Sequence, residues 1–223
     1  VIGAPLFIIS NPDLVIAQCK AGVIGSFPAL NARPEPVLEE WLDRITSELK
    51  DHDKNNPDNK AAPFAVNQIV HGSNARLKHD MDMCEKYEVP IIITSLGAKQ
   101  WVNDQVHGWG GIVIHDIINN RFAKSAISKG ADGLIAVAAG AGGHAGQLSP
   151  FALIQEIREW FDGPLLLSGS MATGDSVLAA QAMGADMGYI GSAFIATEEA
   201  NADAGYKQAI VDCGADDIVY SSL

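Results

Sequence analysis

Apolar runs of four to seven residues alternate with longer amphipathic stretches along most of the chain. Val1–Phe7 is the first such run, closed by Ser10-Asn-Pro12, and Leu14–Lys20 reads as a short helix with Pro12 near its first turn. Strand-like Gly22–Phe27 precedes a helix from Pro34 to about Lys50, in which Val37, Leu38, Trp41, Leu42, Ile45 and Leu49 share one face. Asp51–Pro63 is a polar break, read as a loop over the outside and an insertion within one domain. The pattern then resumes. It predicts strands over Phe64–Ile69, Val89–Ser95, Gly111–Asp116, Gly133–Ala139, Pro164–Ser170 and Met187–Ser192. Helices are predicted over Asn74–Tyr87, Gly97–Val106, Asn120–Lys129, Pro150–Phe161, Asp175–Met183 and Ala200–Asp212.

Eight strand–helix units in succession predict a parallel sheet with right-handed crossovers. Strands apolar without alternation are covered on both faces. The count favours an α/β fold closed as a (β/α)8 TIM barrel over an open doubly wound sheet. The open sheet would carry a glycine fingerprint after its first strand, where Phe7-Ile-Ile-Ser-Asn11 has none.

Composition narrows the partners. Of 223 residues 48% are hydrophobic and 19% charged, enough for one domain with a large core, 1–223. A net charge of −12 argues against nucleic acid or an anionic membrane as partner, and no apolar run is long enough to span a bilayer. Three separated cysteines, Cys19, Cys84 and Cys213, suggest a reduced, cytoplasmic setting. Val1 is not Met, and Ile218–Leu223 stops in mid-pattern without a polar tail. Both lead us to expect a longer native chain on each side.

In such a barrel the chemistry lies at the C-terminal ends of the strands. The sixth strand runs into Ala138-Ala-Gly-Ala-Gly-Gly-His-Ala-Gly146. This is either a cofactor loop carrying one proton-transfer group, His144, or a tight turn with an exposed histidine. Ser168-Gly-Ser-Met-Ala-Thr-Gly174 and Gly191-Ser-Ala-Phe194 follow strands seven and eight, the usual phosphate position. Backbone N–H groups there would hold an anion without a basic side chain; otherwise these glycines only let helices pack closely. Asn67 ends strand three, as a turn former or a partner for a heterocycle. His115 ends strand five; taken alone it reads as a core histidine. Asp116 orients a ring or caps the next helix. His52, His71, His79 and His107 read as surface groups. No histidine–carboxylate set has metal-ligand spacing, and no nucleophile elbow is present.

With Ala4-Pro5-Leu6, Gly22-Val-Ile-Gly25 and Gln181-Ala-Met-Gly-Ala-Asp186, these motifs resemble the nitronate monooxygenase family, formerly the 2-nitropropane dioxygenases, from Val1 to Leu223. The resemblance implies an FMN-dependent barrel that oxidises alkyl nitronates or nitroalkanes with O2 to carbonyl compounds and nitrite. By position, Ala4, Pro5 and Leu6 would line the isoalloxazine, and Asn67 would hydrogen-bond it. His115 would lie near its pyrimidine side, and Gly142 and Gly143 would approach it closely. Gly169, Ser170, Gly191 and Ser192 would hold the phosphate. His144 would take the α-proton or position the nitronate. Family members usually continue past the eighth helix, so residues shaping substrate choice are expected beyond this sequence. Two rivals stand: an NAD(P)H-dependent reductase of quinones or enoyl-acyl carriers on the same barrel, and a non-catalytic flavin-binding barrel. Oligomeric state is open, a homo-oligomer included.

Overall fold

The computed structural model describes residues 1–143, 146–219 and 221. The order is β1 Ile2–Gly3, α1 Pro12–Lys20, β2 Gly25–Pro28, α2 Val37–Asn55, β3 Phe64–Ile69, α3 Leu77–Lys86, β4 Ile91–Ser95, α4 Gln100–Gly108, β5 Ile112–Ile117, α5 Asn120–Ser128, β6 Gly133–Val137, α6 Pro150–Arg158, β7 Leu165–Ser168, α7 Gly174–Met183, β8 Met187–Ile190, α8 Ser192–Ile195 and α9 Ala204–Asp212. All neighbouring strands pair in parallel, in the order β1-β8-β7-β6-β5-β4-β3-β2. The two ends of this ladder meet at a bridge between Ile2 and Ile24. There the Gly3 N–H donates to the Ile24 carbonyl (2.9 Å) and the Ile24 N–H to that of Val1 (3.1 Å). The result is a nearly closed (β/α)8 TIM barrel, as the eight-fold pattern predicts.

Strand alternation divides the core in two. Ile2, Ala65, Ile91, Ile93, Ile114, Ile135 and Leu166 point inward and fill the barrel axis as a dry plug. Val66, Ile92, Val113, Ile117, Leu134, Leu165 and Leu167 point outward, against Val15, Leu42, Ile45, Val102, Leu153 and Ile157 of the helices. Covering both faces is why these strands read as continuous apolar runs, and each fully buried Leu or Ile contributes about 2 kcal/mol. Helix starts are set by local chemistry. Asn11 caps α1 ahead of Pro12, Asn119 caps α5, and Thr173 with Ser176 forms a reciprocal cap on α7.

Several boundaries shift by one to three residues, and three differences have a local cause or change the element count. The first strand is two residues rather than seven, because Pro5 has no N–H to pair and the Leu6 N–H turns to the Ser10 hydroxyl (2.9 Å). The polar break begins later, since α2 continues through His52-Asp-Lys-Asn55 as a solvated extension. A short α8 precedes α9, where the pattern predicts one helix starting near Ala200.

Candidate functional site

The C-terminal ends of the strands form a mouth whose loops interlock through backbone contacts. Gly140 and Gly169 both have positive φ, +88° and +135°. A Cβ on Gly140 would lie 2.0 Å from the Ser170 hydroxyl, and one on Gly169 would lie 2.8 Å from the Ala139 carbonyl. Only glycine lets the β6 and β7 loops approach so closely. Gly142 and Gly143 differ: among the described residues, a Cβ there meets nothing within 4 Å. His144, the expected proton-transfer group, lies outside the described residues.

Accounting for backbone donors changes what the remaining loops can offer a ligand. In Ala4-Pro5-Leu6 the Ala4 N–H is committed to the Ile190 carbonyl (2.8 Å), Pro5 has none, and that of Leu6 is held by Ser10. This segment therefore offers carbonyls and apolar surface, and no donors. Its conformation is set from outside. Asn31 Nδ2 donates to the Leu6 and Ser10 carbonyls (2.9 Å each), while its Oδ1 accepts from the Ile8 N–H (3.0 Å). Asn201 Nδ2 donates to the Ile8 carbonyl (3.0 Å). Ile8 is held at φ +66°, a conformation rare for a β-branched residue, and Phe7 and Ile8 stand exposed at the rim.

The Ser170 N–H and hydroxyl both donate to the Gly140 carbonyl (3.1 and 3.4 Å), so Ser170 ties two loops together. Gly191 and Ser192 open α8. As first-turn residues, Ser192 and Ala193 have N–H groups without an intrahelical acceptor.

Above the dry plug the interior turns polar. Asn67 is buried, and its amide hydrogens go to the Ile93 carbonyl (3.2 Å) and the Ser95 hydroxyl (2.8 Å). What Asn67 can offer a ligand is therefore its carbonyl oxygen, an acceptor. Two further inward positions escaped the sequence reading as site residues: Asp116 on β5, in step with Ile114, and Tyr189 on β8, packed against the plug. Burial, and then the negative charge of Asp116, push the Tyr189 phenol well above its ordinary pKa. The signal that finds both is strand parity, once the inward register is known.

His115 departs from its expected place at the mouth. It follows the parity of Val113 and Ile117, which face the helices. Its Nδ1 lies 2.6 Å from the Thr94 hydroxyl, on the same outward face as Ile92. Burial, reinforced by the charge of Lys129, lowers its pKa to about 4. It is a neutral core histidine in the helix layer, and the structure does not bring it together with Asn67, Gly142 or Gly191. Among the described residues no group of three or more His, Cys, Asp or Glu side chains could hold a metal ion. No described helix is long and apolar enough to cross a membrane.

Comparison with known proteins gives the same direction. The chain is 27% identical over 213 residues to (3aS,4S,5R,7aS)-5-hydroxy-7a-methyl-1-oxo-octahydro-1H-indene-4-carboxyl-CoA dehydrogenase of Rhodococcus jostii, covering 96% of this chain and 56% of that protein. It thus spans little more than half the length of this curated relative. Nitroalkane oxidase from Streptomyces ansochromogenes superposes with a TM-score of 0.82 at 21% identity, covering 95% of this chain and 70% of the other. FabK from Thermotoga maritima superposes at 0.77 with 22% identity, covering 95% and 64%. These two likenesses concern the fold. The family model for nitronate monooxygenase matches residues 39–223, most of the barrel, and the chain belongs to the nitronate monooxygenase family.

Proposed function

We propose that this chain is the flavin-binding barrel of an oxidoreductase, that its flavin is FMN, and that it oxidises alkyl nitronates or nitroalkanes with O2 to carbonyl compounds and nitrite. The observation that carries this reading is the family match over residues 39–223.

The donor chemistry of the mouth fits a flavin. No described residue lies within 4 Å of a Cβ at Gly142 or Gly143, which leaves room there for a flat ring. Asn67 Oδ1 accepts from a ring N–H, and the donor-free Ala4-Pro5-Leu6 segment supplies apolar contact and carbonyls. Gly169, Gly191 and Ser192 hold the phosphate, with the first-turn N–H groups of α8 as donors. Ser170 acts indirectly, by fixing the β6 loop to the β7 loop. When bound, the flavin supplies the electron transfer between substrate and O2. The chain's own residues orient the substrate and move its proton. That last role falls to His144, whose ordinary pKa lies near neutrality.

A second reading is favoured by the Rhodococcus relative, which matches nearly the whole chain and is named for a CoA thioester. In it the same barrel serves an NAD(P)H-linked reaction on an acyl thioester. Anaerobic mixing separates the two. FMN-loaded protein is mixed first with ethylnitronate and then, separately, with NADPH, while the visible flavin bands are followed. A change with nitronate and none with NADPH is the expected result. Bleaching by NADPH alone establishes the second reading, and protein that takes up no added FMN overturns the flavin assignment.

A further inference from the structure

A cavity of about 240 Å3 opens beside the barrel mouth, between the loops that follow β1, β2 and β8 and helix α2. Its wall is Ile8, Asn11, Asn31, Arg33, Trp41 and Asn201. None of these is acidic, in a chain of net charge −12. Arg33 carries the one charge in the wall. Its Nε donates to the Leu30 carbonyl (2.7 Å), and its guanidinium carbon lies 5.3 Å from the centre of the Phe7 ring. The backbone beneath it is braced, because Arg76 Nη1 donates to the Ala32 carbonyl (2.8 Å) while Arg76 Nη2 pairs with the buried Asp80 (2.9 Å). Arg44, Arg76 and Arg158 each pair with a carboxylate. Arg33 pairs with none among the described residues, and its two Nη groups have no acceptor there.

The amides of the wall are mostly committed. Asn31 is engaged at both ends, and Asn11 accepts from the Leu14 N–H and donates to the Glu199 carbonyl (2.9 and 3.0 Å). Asn201 donates through Nδ2 to the Ile8 carbonyl (3.0 Å), and its Oδ1 accepts from no described group. Trp41 is half-buried, with Phe27 packed edge-on against it at 5.5 Å. What the wall still offers is a held cationic fork, one amide acceptor, and the flat apolar surface of Trp41 and Ile8. The fork suits two oxygens of one anion, the acceptor takes a hydroxyl or amine, and the aromatic wall takes a ring. A phosphorylated nucleoside carries all three, and the volume holds one nucleoside but not two. We infer that the Arg33 cavity is a second binding site, with a nucleotide phosphate on the Arg33 Nη groups, the base against Trp41, and a donor of sugar or base on Asn201 Oδ1. The inference rests on neither the flavin nor the nitronate reading. Two sources carry this chemistry: a free mononucleotide, or the nucleotide end of a longer molecule such as NADPH or CoA. The rest of such a molecule would cross Ile8 into the mouth.

The test titrates adenosine monophosphate (AMP) into the protein by calorimetry, with and without saturating FMN, so that the mouth is blocked in one arm. A Kd below about 1 mM in both arms is expected, with adenosine and inorganic phosphate each at least about tenfold weaker. Arg33→Gln should weaken AMP at least about tenfold, the loss of one bidentate charge-assisted contact, and Arg33→Lys, which keeps the charge without the fork, should fall between. Arg121→Gln, on α5 across the barrel, should leave AMP affinity unchanged, which separates contact from the general field. Both arginines are exposed, so the variants are expected to fold. NADPH and CoA are then titrated in competition with AMP. Tighter binding than AMP with a shift of the flavin bands assigns the cavity to the tail of a longer molecule; AMP binding at least as tight, with the bands unmoved, assigns it to a free nucleotide. AMP that fails to bind at about 10 mM, that binds only when FMN is absent, or that binds wild type and Arg33→Gln alike overturns the inference, whatever becomes of the flavin and nitronate readings.

Discussion

Replacing His115 by Gln tests the division of β5 into an outward and an inward face. In the folded chain burial and Lys129 hold the imidazole pKa at about 4, against an ordinary value of 6.5. Between those two values the unfolded chain binds a proton that the folded chain refuses, so stability must rise with pH across that window. Nothing is lost above pH 7, where both states are neutral. At pH 5 the unfolded state gains about 2 kcal/mol from protonation, and the limit below pH 4 is about 3 kcal/mol. Urea unfolding at pH 7 and pH 5 measures it. Wild-type protein should lose about 2 kcal/mol more than His115→Gln over that interval, whatever fixed cost the substitution carries at pH 7. FMN affinity should be unchanged, since the ring lies outside the barrel wall. Equal pH dependence in the two proteins would show that His115 is solvated or charged in the fold. Loss of FMN affinity on substitution would return the residue to the mouth.

Three further substitutions probe the loops. Gly140→Ala adds a Cβ at φ +88° that lies 2.0 Å from the Ser170 hydroxyl, and should cost about 1–3 kcal/mol in urea unfolding; Gly142→Ala, which meets nothing within 4 Å, should cost under about 0.5 kcal/mol yet weaken FMN binding measured by fluorescence quenching. Asn31→Ala removes three hydrogen bonds to the β1 loop and should cost about 1–3 kcal/mol, with limited proteolysis now cutting near Phe7 and Ile8; an uncut loop would mean that Asn201 alone suffices.

The barrel was legible in the sequence because buried parallel strands leave an unmistakable trace. Ile91-Ile-Ile-Thr-Ser95 and Gly133-Leu-Ile-Ala-Val137 admit no other placement between amphipathic helices. Parity was not legible for the same reason. When both faces are apolar, alternation carries no polar mark, and a strand such as Ile112–Ile117 does not announce which of His115 and Asp116 points inward. The resemblance placed His115 at the mouth; the pairing of Thr94 with His115 and the company of Val113 and Ile117 place it outside. Donor commitments were equally invisible. That Leu6 and Ser170 have already spent their N–H groups depends on Ser10 and Gly140, brought to them by the tertiary fold. Asn67 could be placed at the end of β3 from the sequence, but its restriction to an acceptor needed the positions of Ile93 and Ser95. Positive φ was expected of the glycine loop after β6 and is present at Gly140, but that Gly140 and Gly169 serve the approach of one loop to another needed the fold.

The junction of β1 with β2 has a bearing on how the molecule breathes. All six ladder contacts that run from β2 round to β8 join strands of four or more residues, whereas closure rests on a two-residue strand and a single bridge. Such a zip is the part of a cylinder that parts first, and amide protons of Gly3 and Ile24 should exchange with solvent ahead of those in β4 and β5. The segment leaving that zip is the one whose tip, Phe7-Ile8, overhangs the mouth and is anchored by Asn31 and Asn201. Opening the wall by a few ångströms would thus swing the doorway with it, letting a bulky guest enter from the side while the dry plug beneath stays shut.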